Sequence, residues 1–152
     1  MTVSSPMGHI KSFDHVGITV TDLDAAVAFF EALGLEVGGR MVNEGEFIDT
    51  VCGIPGSKCE IVGLNVPGGG TWLEVAQFLR PDSTPGSPDA MANEVGIRNV
   101  CFEVDDIEAV VGKAADLGYG LVGGIGEYEG TWKMAYVRGP DGIVASVSER
   151  IG

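Results

Sequence analysis

Apolar and polar residues alternate from His15 to Val20. Val16, Ile18 and Val20 fall on one side and His15, Gly17 and Thr19 on the other, which predicts a strand with one buried face. The period then lengthens. Leu23, Ala26, Val27, Phe30 and Leu33 recur at helical spacing behind Thr21 or Asp22, either of which can cap the helix, and Gly34 suits the position just past its end. Leu35 to Val42 predicts a second strand interrupted at Gly38-Gly39, and Phe47 to Cys52 a short helical turn stopped by Gly53-Ile54-Pro55-Gly56. Lys58 to Val66 and Thr71 to Phe78 predict an antiparallel hairpin about Pro67-Gly68-Gly69-Gly70. The order is βαβββ.

Residues 80–95, with Pro81, Pro85, Gly86 and Pro88, predict an exposed connector. The pattern then returns. Gly96 to Val104 predicts a strand. A helix follows from Asp106, with Ile107, Val110, Val111, Ala114 and Leu117 as its apolar stripe and Gly118 at its exit. Tyr119 to Val122 predicts a strand and Gly123 to Gly130 a glycine-rich loop bearing Tyr128. Thr131 to Arg138 and Ile143 to Glu149 predict a hairpin about Gly139-Pro140-Asp141-Gly142. Individual residues repeat as well: an offset of 99 − 15 = 84 places Val100 on Val16, Val104 on Val20, Asp106 on Asp22 and Leu117-Gly118 on Leu33-Gly34. A duplicated unit decides the architecture. The expectation is an α+β domain of two βαβββ modules forming a cup-shaped mixed sheet. Residues 10–79 and 96–152 form the modules, behind a disordered lead at 1–9. The first copy has His15 where the second has Asn99.

At 152 residues the chain can bury a substantial core without staples. No uncharged apolar run approaches the ~20 residues of a membrane span, and the first residues lack a basic start followed by an apolar block, so a cytoplasmic location is expected. Asp and Glu number 22 against 9 Lys and Arg, a net charge of −13 that repels nucleic acid and anionic membranes and attracts cations. Cys52, Cys59 and Cys101 form no CxxC pair and read as reduced packing residues.

Two βαβββ modules, the opening phrase Asp14-His15-Val16-Gly17-Ile18-Thr19-Val20-Thr21-Asp22 and the closing Gly139-Pro140-Asp141-Gly142 hairpin resemble the vicinal oxygen chelate superfamily. That group includes glyoxalase I, methylmalonyl-CoA epimerase, extradiol dioxygenases, and fosfomycin- and bleomycin-resistance proteins. The resemblance spans residues 10–150 and speaks to fold more than to reaction. It implies a cup with four ligand positions, one on the first and one on the last strand of each module. They fall on His15, Glu74, Asn99 and Ser146. His15 and Glu74 match the metal-binding pattern. Asn99 stands where histidine is usual and Ser146 where glutamate is usual. A hairpin offset of 146 − 74 = 72, which also aligns Gly142 with Gly70, supports the Ser146 assignment.

Neutral Asn and Ser oxygens compete weakly with water for a divalent ion, so no cofactor is favoured and a metal on His15 and Glu74 would be loosely held. Glu103 would join that set only if its strand shifted. Without a metal, His15 and Glu74 offer an imidazole beside a carboxylate, able to act as a general acid and base on an acidic carbon. The alternative is a relic pair, hydrogen-bonded in a pocket that only binds. Trp72, Tyr128, Trp132 and Tyr136 are candidates for a pocket wall, with ordinary core packing as the alternative for each. Cys101 falls on the cup face without an evident base, which disfavours a nucleophile. His9 reads as exposed, and Gly123-Gly124-Ile125-Gly126 opens no helix and is no nucleotide loop. The expected activity is lyase- or isomerase-type proton transfer on a small oxygenated metabolite. The rival is a metal-free protein that sequesters a cationic drug, as bleomycin-resistance proteins do. Family resemblance implies a small-molecule ligand and a homodimer, the cup forming within one chain or by swapping.

Overall fold

The computed structural model describes residues 8–152, and over them the repeat becomes two four-stranded sheets. In the first, β1 (His15–Thr19), β2 (Glu36–Glu44), β3 (Lys58–Asn65) and β4 (Trp72–Arg80) stand in the order β1-β4-β3-β2. In the second, β5 (Val100–Glu103), β6 (Gly126–Tyr128), β7 (Trp132–Arg138) and β8 (Val144–Arg150) stand in the matching order β5-β8-β7-β6. Each opening strand runs parallel to the closing strand of its own module, and the remaining pairs are antiparallel. Helices α1 (Leu23–Leu33) and α3 (Ile107–Asp116) follow β1 and β5, and the first module adds α2 (Glu46–Cys52).

Duplication extends to single hydrogen bonds. Asp22 caps α1 by accepting from the Ala25 N–H at 3.1 Å, and Asp106 caps α3 from the Ala109 N–H at 3.1 Å. At the first residue of each helix, the Leu23 N–H donates to Gln77 Oε1 at 2.9 Å and the Ile107 N–H to Glu149 Oε1 at 2.8 Å. Two helix-start donors per module are thus satisfied by residues at repeat-related positions.

The two modules share one core. Phe30 meets Phe102 edge-on at 6.5 Å between centroids, and Phe29 meets Tyr119 at 5.1 Å. The Gly139-Pro140-Asp141-Gly142 turn crosses to the first module, where Asp141 accepts from the Thr21 N–H at 2.9 Å and from its hydroxyl at 2.8 Å. That double bond holds Asp141 in the left-handed region at φ 56°. Gly142, at φ 80°, lies so close to Pro88 that a methyl group would clash with its backbone.

Several elements differ from the sequence expectation. The opening strand of the second module begins at Val100 rather than Gly96. Gly96 takes φ 128°, and Val95 and Ile97 are exposed, so these residues continue the connector. The strand expected at Tyr119 to Val122 is reduced to a bridge between Leu121 and Val137, and its place beside β7 is taken by β6. Tyr128 therefore sits on a strand, not on the expected loop. The connector is exposed only in part: the Arg138 guanidinium donates to the carbonyls of Pro88 at 3.2 Å and Ala90 at 2.8 Å and draws it over the second sheet. Of the expected lead, residues 1–7 lie outside the described residues, while His9 and Ile10 are exposed. Among the described residues no helix is long and apolar enough to cross a membrane.

Candidate functional site

Val16, Ile18, Leu73 and Val75 pack into the core. Strand alternation therefore brings His15, Gly17, Trp72 and Glu74 out together on the opposite face of the first sheet. The parallel register pairs His15 with Trp72 and Gly17 with Glu74. The His15 imidazole stacks on Trp72, with centroids 4.5 Å apart and planes at 27°. Gly63 lies beneath the indole, where a methyl would sit 3.5 Å from the ring, at ordinary contact distance. Nδ1 of His15 lies 2.7 Å from Asp14 Oδ2, and Nε2 lies 3.6 Å from Glu74 Oε2.

One imidazole thus stands between two carboxyl groups, and the two distances differ in meaning. A carboxylate only accepts, so the short contact to Asp14 places a proton on Nδ1 and turns Nε2 toward Glu74. The 3.6 Å gap exceeds a hydrogen bond. A proton held by Glu74 would draw the two groups together as a neutral acid donating to imidazole. A second proton on His15 would do so as an ion pair. With 36% of the His15 side chain and 31% of the Glu74 side chain exposed, both reach solvent from a partly desolvated face.

The other candidates stand elsewhere. Asn99 precedes β5 at the seam between the sheets. Cys101 pairs in register with Ser146, and Ser146 with Tyr136. Ser146 is buried, and its hydroxyl has no partner among the described residues. The Cys101 thiol lies 3.9 Å from the Ser148 hydroxyl, with no imidazole or carboxylate among its hydrogen-bond partners. Tyr128 and Trp132 face each other across the outermost strand pair of the second sheet, Tyr128 largely exposed and Trp132 under the Arg150 guanidinium at 4.3 Å. Of the four aromatics proposed as one wall, only Trp72 touches His15.

The His15–Glu74 spacing would suit two donors on one ion, yet no third His, Cys, Asp or Glu atom among the described residues joins them. Asp14 is turned to the far side of the ring. The donor set does not fit the family's four-ligand site. One trio does converge, Asp106, Glu108 and Glu149, but its members are engaged in the α3 cap, with Lys133 and with the Ile107 N–H.

Three features were not foreseen. Asp14 follows an apolar residue and precedes the strand, so alternation assigned it no role; its adjacency to His15 was the available signal. Asp49 secures α2, which flanks this sheet, by accepting from the Gly56 N–H at 2.9 Å and the Ser57 N–H at 3.1 Å, and these bonds hold its carboxyl below the usual range. A cleft of about 480 Å³ opens at the seam, between β1 on one side and Asn99, Val100 and the connector on the other. Burial meanwhile pushes the Cys59 thiol up, consistent with a packing residue.

Comparison with known proteins gives this arrangement its context. Residues 14–136 match the model of the Glyoxalase/Bleomycin resistance protein/Dioxygenase superfamily. The chain is 33% identical to a glyoxalase family protein from Bacillus cereus of known structure, covering 98% of this chain and 100% of that one with a TM-score of 0.92. A glyoxalase/dioxygenase from Nostoc punctiforme shares the fold at 18% identity and a TM-score of 0.66, over 99% of this chain and 97% of that one. Mitochondrial methylmalonyl-CoA epimerase of Mus musculus is 32% identical over 109 residues, 71% of this chain and 54% of that protein. The chain thus spans about half the length of that relative. With the duplicated βαβββ fold, these matches establish that the chain belongs to the Glyoxalase/Bleomycin resistance protein/Dioxygenase superfamily.

Proposed function

We propose that this protein catalyses proton transfer of the lyase or isomerase type on a small oxygenated metabolite, with His15 and Glu74 as its acid–base pair. The observation that carries the reading is the imidazole held at Nδ1 by Asp14, 2.7 Å away, with Nε2 set 3.6 Å from Glu74. Asp14 fixes the tautomer and would stabilise the imidazolium. Glu74 accepts a proton from a carbon made acidic by a neighbouring carbonyl. Entering the cycle as the imidazolium, His15 supplies its Nε2 proton to that carbon or to the adjacent oxygen and is reprotonated from solvent as Glu74 releases the proton it took, and Trp72 gives a flat wall on which a planar enol would rest. No step runs through a metal, because the donor set supplies only half of a site. The mouse relative, an epimerase, agrees with isomerase-type chemistry.

The net charge of −13 favours a second reading, sequestration of a cationic compound by the same face. One experiment separates the two. Small hydroxy- and oxo-carbonyl compounds and cationic glycopeptide drugs are screened for binding by thermal shift. Each ligand found is then incubated with the protein in D₂O and followed by proton NMR. Catalysis predicts loss of a carbon-bound proton signal at an enzyme-dependent rate. Binding without exchange by every ligand would sink catalysis in favour of sequestration.

A further inference from the structure

The seam cleft is not lined by His15 or Glu74, yet it adjoins them. Gly17, in register with Glu74, forms part of its wall and carries no side chain to divide the two spaces. Val16, Ile97, Val100 and Ile143 give the cleft an apolar body, while Arg98 and Asn99 place a guanidinium and an amide within it. Arg98 is loosely held, whereas Arg150, which stacks on Trp132, lies outside the cleft. Arg40 and Arg80 each hold a carboxylate at 2.8 Å, and Arg138 holds backbone carbonyls. Arg98 makes one long contact, Nη1 to Glu94 Oε2 at 3.3 Å, and its Nε is buried without a partner among the described residues. A guanidinium left with open donors beside an apolar cavity suits a carboxylate, which accepts two parallel N–H bonds. Asp141, the other acidic group in the lining, is engaged by Thr21.

We infer that the seam cleft binds the carboxylate end of a small organic acid on Arg98, with its apolar body against Val16, Ile97, Val100 and Ile143 and its far end directed past Gly17 toward Glu74. The inference rests on the proton-transfer reading for the role of Glu74. It names the substrate class of that site: a short-chain carboxylic acid whose reacting carbon lies beyond the anchored carboxylate. Glu94 competes for the same guanidinium, so binding draws Arg98 away from it.

The test uses 4-methylpentanoate and its neutral isostere 4-methylpentanamide as probes, titrated into the ¹⁵N-labelled full chain. Expected are saturable shifts of the Arg98 Nε–H and of the Gly17 and Asn99 amides with the acid. Binding should be about tenfold or more weaker for the amide, as loss of a charge-assisted bidentate pair implies. Arg98→Gln should weaken the acid by a similar factor, and Glu94→Gln should tighten it. Equal binding of acid and amide, undiminished binding by Arg98→Gln, or no shift up to the solubility limit would each overturn the inference. Binding does not depend on turnover. Acid bound on Arg98 by a protein that exchanges no carbon-bound proton would leave the cleft assignment standing and remove the proton-transfer reading alone.

Discussion

The two modules share a fold and differ in chemistry. Both order their strands alike, cap their helices with an aspartate on the third amide, and bind the first helical amide with a side chain from the closing strand. Their outward faces diverge. The first sets His15 between Asp14 and Glu74 against Trp72. The second sets Asn99 at the seam, buries Ser146 without a hydrogen-bond partner among the described residues and draws the connector over its sheet through Arg138. Backbone geometry constrains residues at caps, turns and core positions in both copies, so these are held in common. The open face carries no such constraint, and only the first copy sets an imidazole beside two carboxyl groups there.

The largest expected effect comes from writing the second module's residue into the first. His15→Asn should lower turnover by about 100-fold or more, the span general acid–base groups contribute, without shifting the unfolding midpoint by more than a surface substitution does. Steady-state kinetics and thermal denaturation on the same sample check both halves. Next is the contact joining the modules. Gly142→Ala forces a side chain into left-handed backbone against Pro88 and should cost about 2–3 kcal/mol, read by denaturant unfolding.

A smaller pair of effects tests the symmetry itself. Asp22→Ala and Asp106→Ala each remove one helix cap and should each cost about 1 kcal/mol. Unequal losses would show that the modules share geometry without sharing its energetics. Smallest is a pH effect confined to the first module. The Asp49 carboxyl is held below its ordinary value by the Gly56 and Ser57 amides. The stability it adds is therefore fully present above the ordinary carboxylate range and is lost as pH falls through its depressed value. Melting curves of wild type and Asp49→Asn should be separated at neutral pH and converge in acid.

Much of this contrast was legible in the sequence. Period-two alternation turned His15 away from Val16 and put Glu74 with Trp72, the family resemblance brought His15 and Glu74 together, and the offsets of 84 and 72 predicted where their counterparts would differ. What stayed hidden depends on contacts between distant segments. Arg138 reaching the Pro88 and Ala90 carbonyls, Asp141 closing on Thr21, and Arg98 beside the seam carry no periodic signature. The expected Tyr119 to Val122 strand is reduced to a bridge because an apolar run does not say whether a partner edge is available, and β6 takes the edge of β7 instead.

The central claim is that His15 and Glu74 act as one proton-transfer unit. A double-mutant cycle on enzyme-dependent deuterium exchange tests it most directly, with His15→Asn, Glu74→Gln and both together. The account predicts that the double variant is no slower than the slower single variant, since removing either group disables the pair. Losses that multiply, or a Glu74→Gln protein that exchanges as fast as wild type, would contradict it.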